Sequence, residues 1–135
     1  MRALVPTLAL AAVLAFAASV VASATTRLDA TPKHGHTHST YTVSFKAQFA
    51  SSKARHTQYV IGAVNSGSCT RGVSSFGRVQ PGPYKVGQLV RFVLKAPKSG
   101  WCVGVFHGVG HFERKVGDRW VDKRIGRFAF RVLSP

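Results

Sequence analysis

Three histidines alternate in His34-Gly35-His36-Thr37-His38, and two more, His107 and His111, bracket a glycine-rich stretch that ends at Glu113. In an extended chain, alternation sends the imidazoles of His34, His36 and His38 to one side, where they could close on Cu(II), Zn(II) or Ni(II). The tract is short, an unfolded arm loses entropy when it chelates, and neither methionine nor cysteine accompanies it, so adventitious binding or none is the simpler reading. His107, His111 and Glu113 have the donor types of a catalytic zinc site. That chemistry places its histidine pair rigidly on a helix, whereas Gly108 and Gly110 mark a turn or strand end. A structural or solvated role fits this second group better.

Hydrolytic chemistry has little to work with. A glycosidase needs two carboxylates across a cleft, and the whole chain has only four, Asp29, Glu113, Asp118 and Asp122, three of them among lysines and arginines. No serine occupies a G-x-S-x-G turn, and a Ser-His-Asp array would have to be assembled without a local signature. Gly108-Val109-Gly110 lacks the third glycine and the βα turn of a dinucleotide fingerprint. Ribonuclease-like catalysis by two histidines and a lysine is the least implausible enzyme; the sequence predicts a non-enzymatic protein without a cofactor.

Residues 1–24 read as a secretory signal peptide: Arg2, an apolar run over 3–21, then Ala22-Ser23-Ala24 as an A-x-A cleavage site. An uncleaved anchor competes, because the run is close to the roughly 20 residues of a spanning helix. Its many alanines, Pro6 and the small residues at its end favour cleavage near Thr25. There is no twin arginine, and no cysteine follows to accept a lipid. The expected mature protein has no transmembrane span and is secreted, either free or associated with the cell wall. In that compartment the two cysteines, Cys69 and Cys102, predict a structural disulfide instead of metal or redox chemistry.

Charge is the other strong signal. Nineteen lysines and arginines against four acids give a formal net charge of +15, which attracts polyanions over long range. Outside a cell the candidates are anionic envelope polymers such as teichoic acids, lipid headgroups and stray nucleic acid. No helix-turn-helix, zinc-finger or RNP pattern supports specific nucleic-acid recognition. Lys46, Arg91, Lys95, Arg127 and Arg131 all fall on outward positions of expected strands, and would form one basic surface if those strands shared a sheet. The bland alternative is a set of solvated positions that discourage edge-to-edge aggregation.

The elements that would position these groups are strands. Residues 41–49 alternate without a break, with Tyr41, Val43, Phe45, Ala47 and Phe49 on one face. Residues 58–65, 88–95, 101–107 and 126–133 make further strands, with weaker candidates at 72–79 and 119–125. Residues 25–39, polar and broken by Pro32 and Gly35, read as a flexible arm before a domain at 40–135. Gly, Pro and Ser clusters between short alternating runs, without a capped helical period, predict an all-β fold of two packed antiparallel sheets. An immunoglobulin-like sandwich leads, although Cys69 falls beyond the second strand and Trp101 adjoins Cys102, so antibody-type topology is doubtful. A small β-barrel stays open, since its alternation would look the same.

Gly100-Trp101-Cys102-Val103-Gly104, with an upstream cysteine, the Leu89-Val90-Arg91-Phe92 strand and the terminal Ile125-Gly126-Arg127-Phe128-Ala129-Phe130-Arg131-Val132, resembles a group of small exported proteins of high-GC soil actinobacteria. The resemblance covers about residues 41–133. It implies an immunoglobulin-like sandwich of unknown function, without enzyme activity, cofactor or catalytic residue. The segment from His107 to His111 departs from it, where arginine or tyrosine would be expected. Together these readings predict a secreted binding or surface-interaction module with a basic face. Extracellular metal binding through the histidine arm is the alternative, and a cationic antimicrobial or nuclease-like effector stands behind it.

Overall fold

The computed structural model describes residues 27–50, 56–67 and 69–135. The expected leader, 1–24, lies outside the described residues. Eight strands follow in order: β1 (Asp29–Thr31), β2 (His34–His36), β3 (Tyr41–Lys46), β4 (Thr57–Asn65), β5 (Ser75–Pro81), β6 (Leu89–Leu94), β7 (Gly104–Val116) and β8 (Arg119–Leu133). They form a three-stranded sheet, β1-β3-β6, and a five-stranded sheet, β2-β8-β7-β4-β5. No α-helix occurs among the described residues.

Inward residues come from the expected alternation. In the smaller sheet Tyr41 and Val43 of β3 face Leu94 and Phe92 of β6 across an antiparallel ladder, and all four are buried. In the larger sheet Tyr59, Ile61 and Ala63 of β4 and Phe128, Phe130 and Val132 of β8 supply the opposing layer. Two half-buried sheets of this kind hide their apolar faces by packing on each other.

Two aromatic clusters fill the interior. Tyr41 stacks on Phe130 at 4.1 Å between centroids and meets Trp101 edge-on at 6.4 Å. Phe106 stacks on Phe130 at 5.0 Å. Further along, Tyr59 contacts Phe45, Tyr84 and Phe112, each with centroids 5.1–5.2 Å apart. Their polar ends are satisfied, as burial demands: Trp101 Nε1 donates to the Ser39 carbonyl at 3.0 Å, Tyr41 to the Arg131 carbonyl at 3.1 Å, and Tyr59 to the Phe49 carbonyl at 3.1 Å. Among the described residues no buried side-chain polar atom lacks a partner.

Cys69 and Cys102 form the expected disulfide, with Cα atoms 5.8 Å apart. It joins the β4–β5 connection to the residues just before β7. Val73 bridges Trp101 in the same place, donating its N–H to the Gly100 carbonyl and accepting from Cys102. Buried Asn65 completes the junction by donating to the Cys102 carbonyl at 3.2 Å.

Three expectations change. The segment 25–39 is no free arm from Arg27 onward, because β1 pairs antiparallel with β3, and β2 pairs parallel with β8. Leu28 and Ala30 enter the core, and Gly35 is buried beneath Tyr41, whose ring occupies the space a Cβ would need. The expected strand at 101–107 begins at Gly104 and runs on to Val116. The pieces at 119–125 and 126–133 are one strand, bent by a bulge opposite Gly110/His111.

Candidate functional site

β8 lies second from the edge of the larger sheet, and the chain before β3 touches it twice. Arg27 bridges Arg127 in parallel, with the Leu28 N–H donating to the Arg127 carbonyl at 2.7 Å. The chain then leaves for the other sheet as β1 and returns as β2, where the Arg131 N–H donates to the Lys33 carbonyl at 2.8 Å. Between these crossings Ala129 has no ladder partner on that edge among the described residues.

The gap opens as a groove of about 850 Å³ along β8 and β7, with Leu28, Ala30 and Phe128 among its apolar lining. Its charged lining is one-sided: Arg27, Lys33, Arg124, Arg127 and Arg131 against the single carboxylate of Asp29. His34 and His107 add imidazoles to the rim. All five cations are exposed. No lysine or arginine among the described residues makes an ion pair; the ion pair among them joins His111 Nδ1 to Asp122 Oδ2 at 3.3 Å. Unneutralised cations beside an apolar wall hold a positive potential that solvent alone screens, over about 8 Å at physiological salt.

The five cations that would form one basic surface if their strands shared a sheet are split between two sheets. Lys46 and Arg91 belong to the outer face of β3 and β6 in the smaller sheet, with exposed Lys95 just past the end of β6, whereas Arg127 and Arg131 project from β8 in the larger one. The reason is topological: the alternation of each strand fixes which residues point outward but not which sheet it joins. Arg27, Lys33 and Arg124 replace the missing members. Arg27 and Lys33 lie in the segment read as an arm, and only its pairing with β8 makes them part of a site.

The histidines do not gather. His34 and His36 sit on the outward side of β2 around buried Gly35, and His38 lies past the strand end beside Gly100. Among the described residues no group of three or more His, Cys, Asp or Glu side chains is placed to hold a metal ion. On β7, His111 reaches diagonally to Asp122, and Glu113 accepts a hydrogen bond from Gln58 Nε2 at 3.0 Å. Those partners are ordinary cross-strand neighbours on the outer face of the sheet.

Compared with protein-family models, with characterised proteins and with solved structures, the chain has no match.

Proposed function

We propose that this is an exported, non-enzymatic binding domain of immunoglobulin-like architecture, whose groove along β8 takes a segment of an anionic polymer. The strand order supports the architecture: the first strand region is divided between the sheets, three strands β1-β3-β6 face five in the order β2-β8-β7-β4-β5, and the chain changes sheet between β3 and β4 and again on either side of β6. The disulfide ties the β4–β5 and β6–β7 connections, away from the inter-sheet position of antibody domains. A stable disulfide suits the oxidising compartment that the leader sequence implies. The residues that resemble exported actinobacterial sandwich proteins support the same placement.

One observation carries the functional reading: five cations line an open groove with one carboxylate among them. Anionic envelope polymers such as teichoic acids match it, because they present repeated phosphates on a flexible chain and are abundant where an exported protein works. Two variants with equal charge loss test it. Arg27→Ala/Arg127→Ala/Arg131→Ala strips the groove; Lys46→Ala/Arg91→Ala/Lys95→Ala strips the opposite sheet. Elution from a teichoic-acid or heparin resin should move to clearly lower salt for the first variant and only slightly for the second. Equal shifts for both would leave net charge, not the groove, as the cause.

A further inference from the structure

The β7–β8 ladder continues past the sandwich. Among the described residues β4 stops pairing with β7 at Thr57↔Arg114, yet β7 and β8 remain paired through Lys115↔Trp120 to Val116↔Arg119. A two-residue turn, Gly117-Asp118, closes the hairpin, with Gly117 in the left-handed region at φ 63°. Every residue from Arg114 to Arg124 is exposed. Among them Trp120, 41% exposed, shares one face of the ribbon with its partner Lys115, while Val121 at 46% and Val116 at 52% share the other with Arg114 and Arg119; Asp118 and Asp122 are the carboxylates of this stretch. The other tryptophan, Trp101, is buried in the core.

A two-stranded ribbon has little stability of its own in water, and large apolar side chains at its tip gain nothing by exposure. Tryptophan does gain at the boundary between lipid headgroups and acyl chains, where its ring is shielded and its N–H stays wet. Cations beside it are drawn to an anionic leaflet. We infer that the tip of the β7–β8 hairpin is a membrane-surface anchor that enters end-on: Trp120 from one face and Val116 and Val121 from the other seat in the interfacial layer of an anionic bilayer, while Arg114, Lys115 and Arg119, which outnumber the carboxylates of Asp118 and Asp122, contact its headgroups. Three apolar side chains are too few to hold a neutral membrane, so the anchor requires anionic lipid and weakens with salt. This tip is separate from the β8 groove and does not depend on it.

The probe is the protein without its leader, residues 25–135, mixed with vesicles of phosphatidylcholine alone or with phosphatidylglycerol added. Binding to the anionic vesicles alone, a blue shift of tryptophan emission, and quenching by bromine carried on the acyl chains are expected. Trp120→Phe should abolish the shift and the quenching, leaving only the buried Trp101 to report. Each of Arg114→Gln, Lys115→Gln and Arg119→Gln should lower partitioning about fivefold. The groove variant Arg27→Ala/Arg127→Ala/Arg131→Ala should still show Trp120 quenching when bound. Absence of binding to anionic vesicles at low salt would overturn the anchor. So would binding without bromine quenching of Trp120, because the contact would then lie elsewhere on the basic surface.

Discussion

Between Gly104↔Val132 and Gly110↔Gly126, the β7–β8 ladder carries Phe106, Phe128, Phe130 and Val132 into the core, all buried. Past the bulge at Gly110/His111 burial fades, and from Arg114↔Val121 to the turn the same two strands bury nothing. Backbone pairing resumes at His111↔Arg124 past the bulge and runs on to Val116↔Arg119. Ladder hydrogen bonds therefore do not separate the two regions; what separates them is apolar area removed from water, the larger source of folding free energy. The inner half holds the fold, and the outer half is free to carry charge and a tryptophan for contact with something else.

That contrast predicts a graded response to substitution. Phe130→Ala removes a ring stacked on Tyr41 and Phe106, and should cost about 3–5 kcal/mol in denaturant unfolding. A loss below 1 kcal/mol would mean that the inner half is not the stabilising one. Replacing both cysteines with serine opens a bridge spanning 33 positions, and the chain-entropy estimate puts the loss at about 3–4 kcal/mol. An unchanged melting temperature on reduction would show that the junction holds without its bond.

Gly108 sits in the inner half, and the Phe128 ring fills the space its side chain would take. Gly108→Ala should therefore cost about 1–3 kcal/mol as the ring is pushed from its rotamer, readable in the same unfolding curves. Alkaline pH probes the same interior more gently. Burial raises the phenol pKa of Tyr41, Tyr59 and Tyr84 above the usual 10.0, against smaller opposing hydrogen bonds. Unfolded, these groups ionise near 10, whereas folded they keep their protons longer. Their contribution is intact below that pH and is lost as pH rises through the folded values, so unfolding free energy should fall from about pH 10 upward. Tyr59→Phe, which cannot ionise, should flatten part of that fall.

Much of the inner half is legible in the sequence, because alternation of large apolar residues in 41–49, 58–65 and 126–133 is a direct image of a half-buried strand. The disulfide is legible from an even cysteine count in a chain whose first 24 residues read as a signal peptide. β1 and β2 are not, since each is three residues long and one of the inward positions is Gly35, which gives no apolar signal because Tyr41 fills its place. The groove is hidden for the same reason: Arg27 and Lys33 join it only through pairing with β8, while Lys46, Arg91 and Lys95, identical in pattern to Arg127 and Arg131, turn out to belong to the other sheet. Period-2 patterning reports the face of a strand and is silent about its neighbours.

The smallest expected effect tests the outer half. Val121→Thr keeps the β-branched shape that suits a strand, and Val121 is 46% exposed, with Arg114 as its cross-strand partner. Substitutions at such positions usually change stability by about 0.5 kcal/mol or less, so its urea midpoint should match that of the parent protein. Anionic-vesicle binding should nonetheless weaken, because a hydroxyl replaces a methyl at the surface proposed to meet the lipid. The pairing of these two results matters more than either alone. A stability loss above 1 kcal/mol would mean that the tip packs against the rest of the domain and belongs with the inner half. Unchanged stability with unchanged vesicle binding would leave Val121 as a solvated strand residue and confine the membrane contact to Trp120 and its cations.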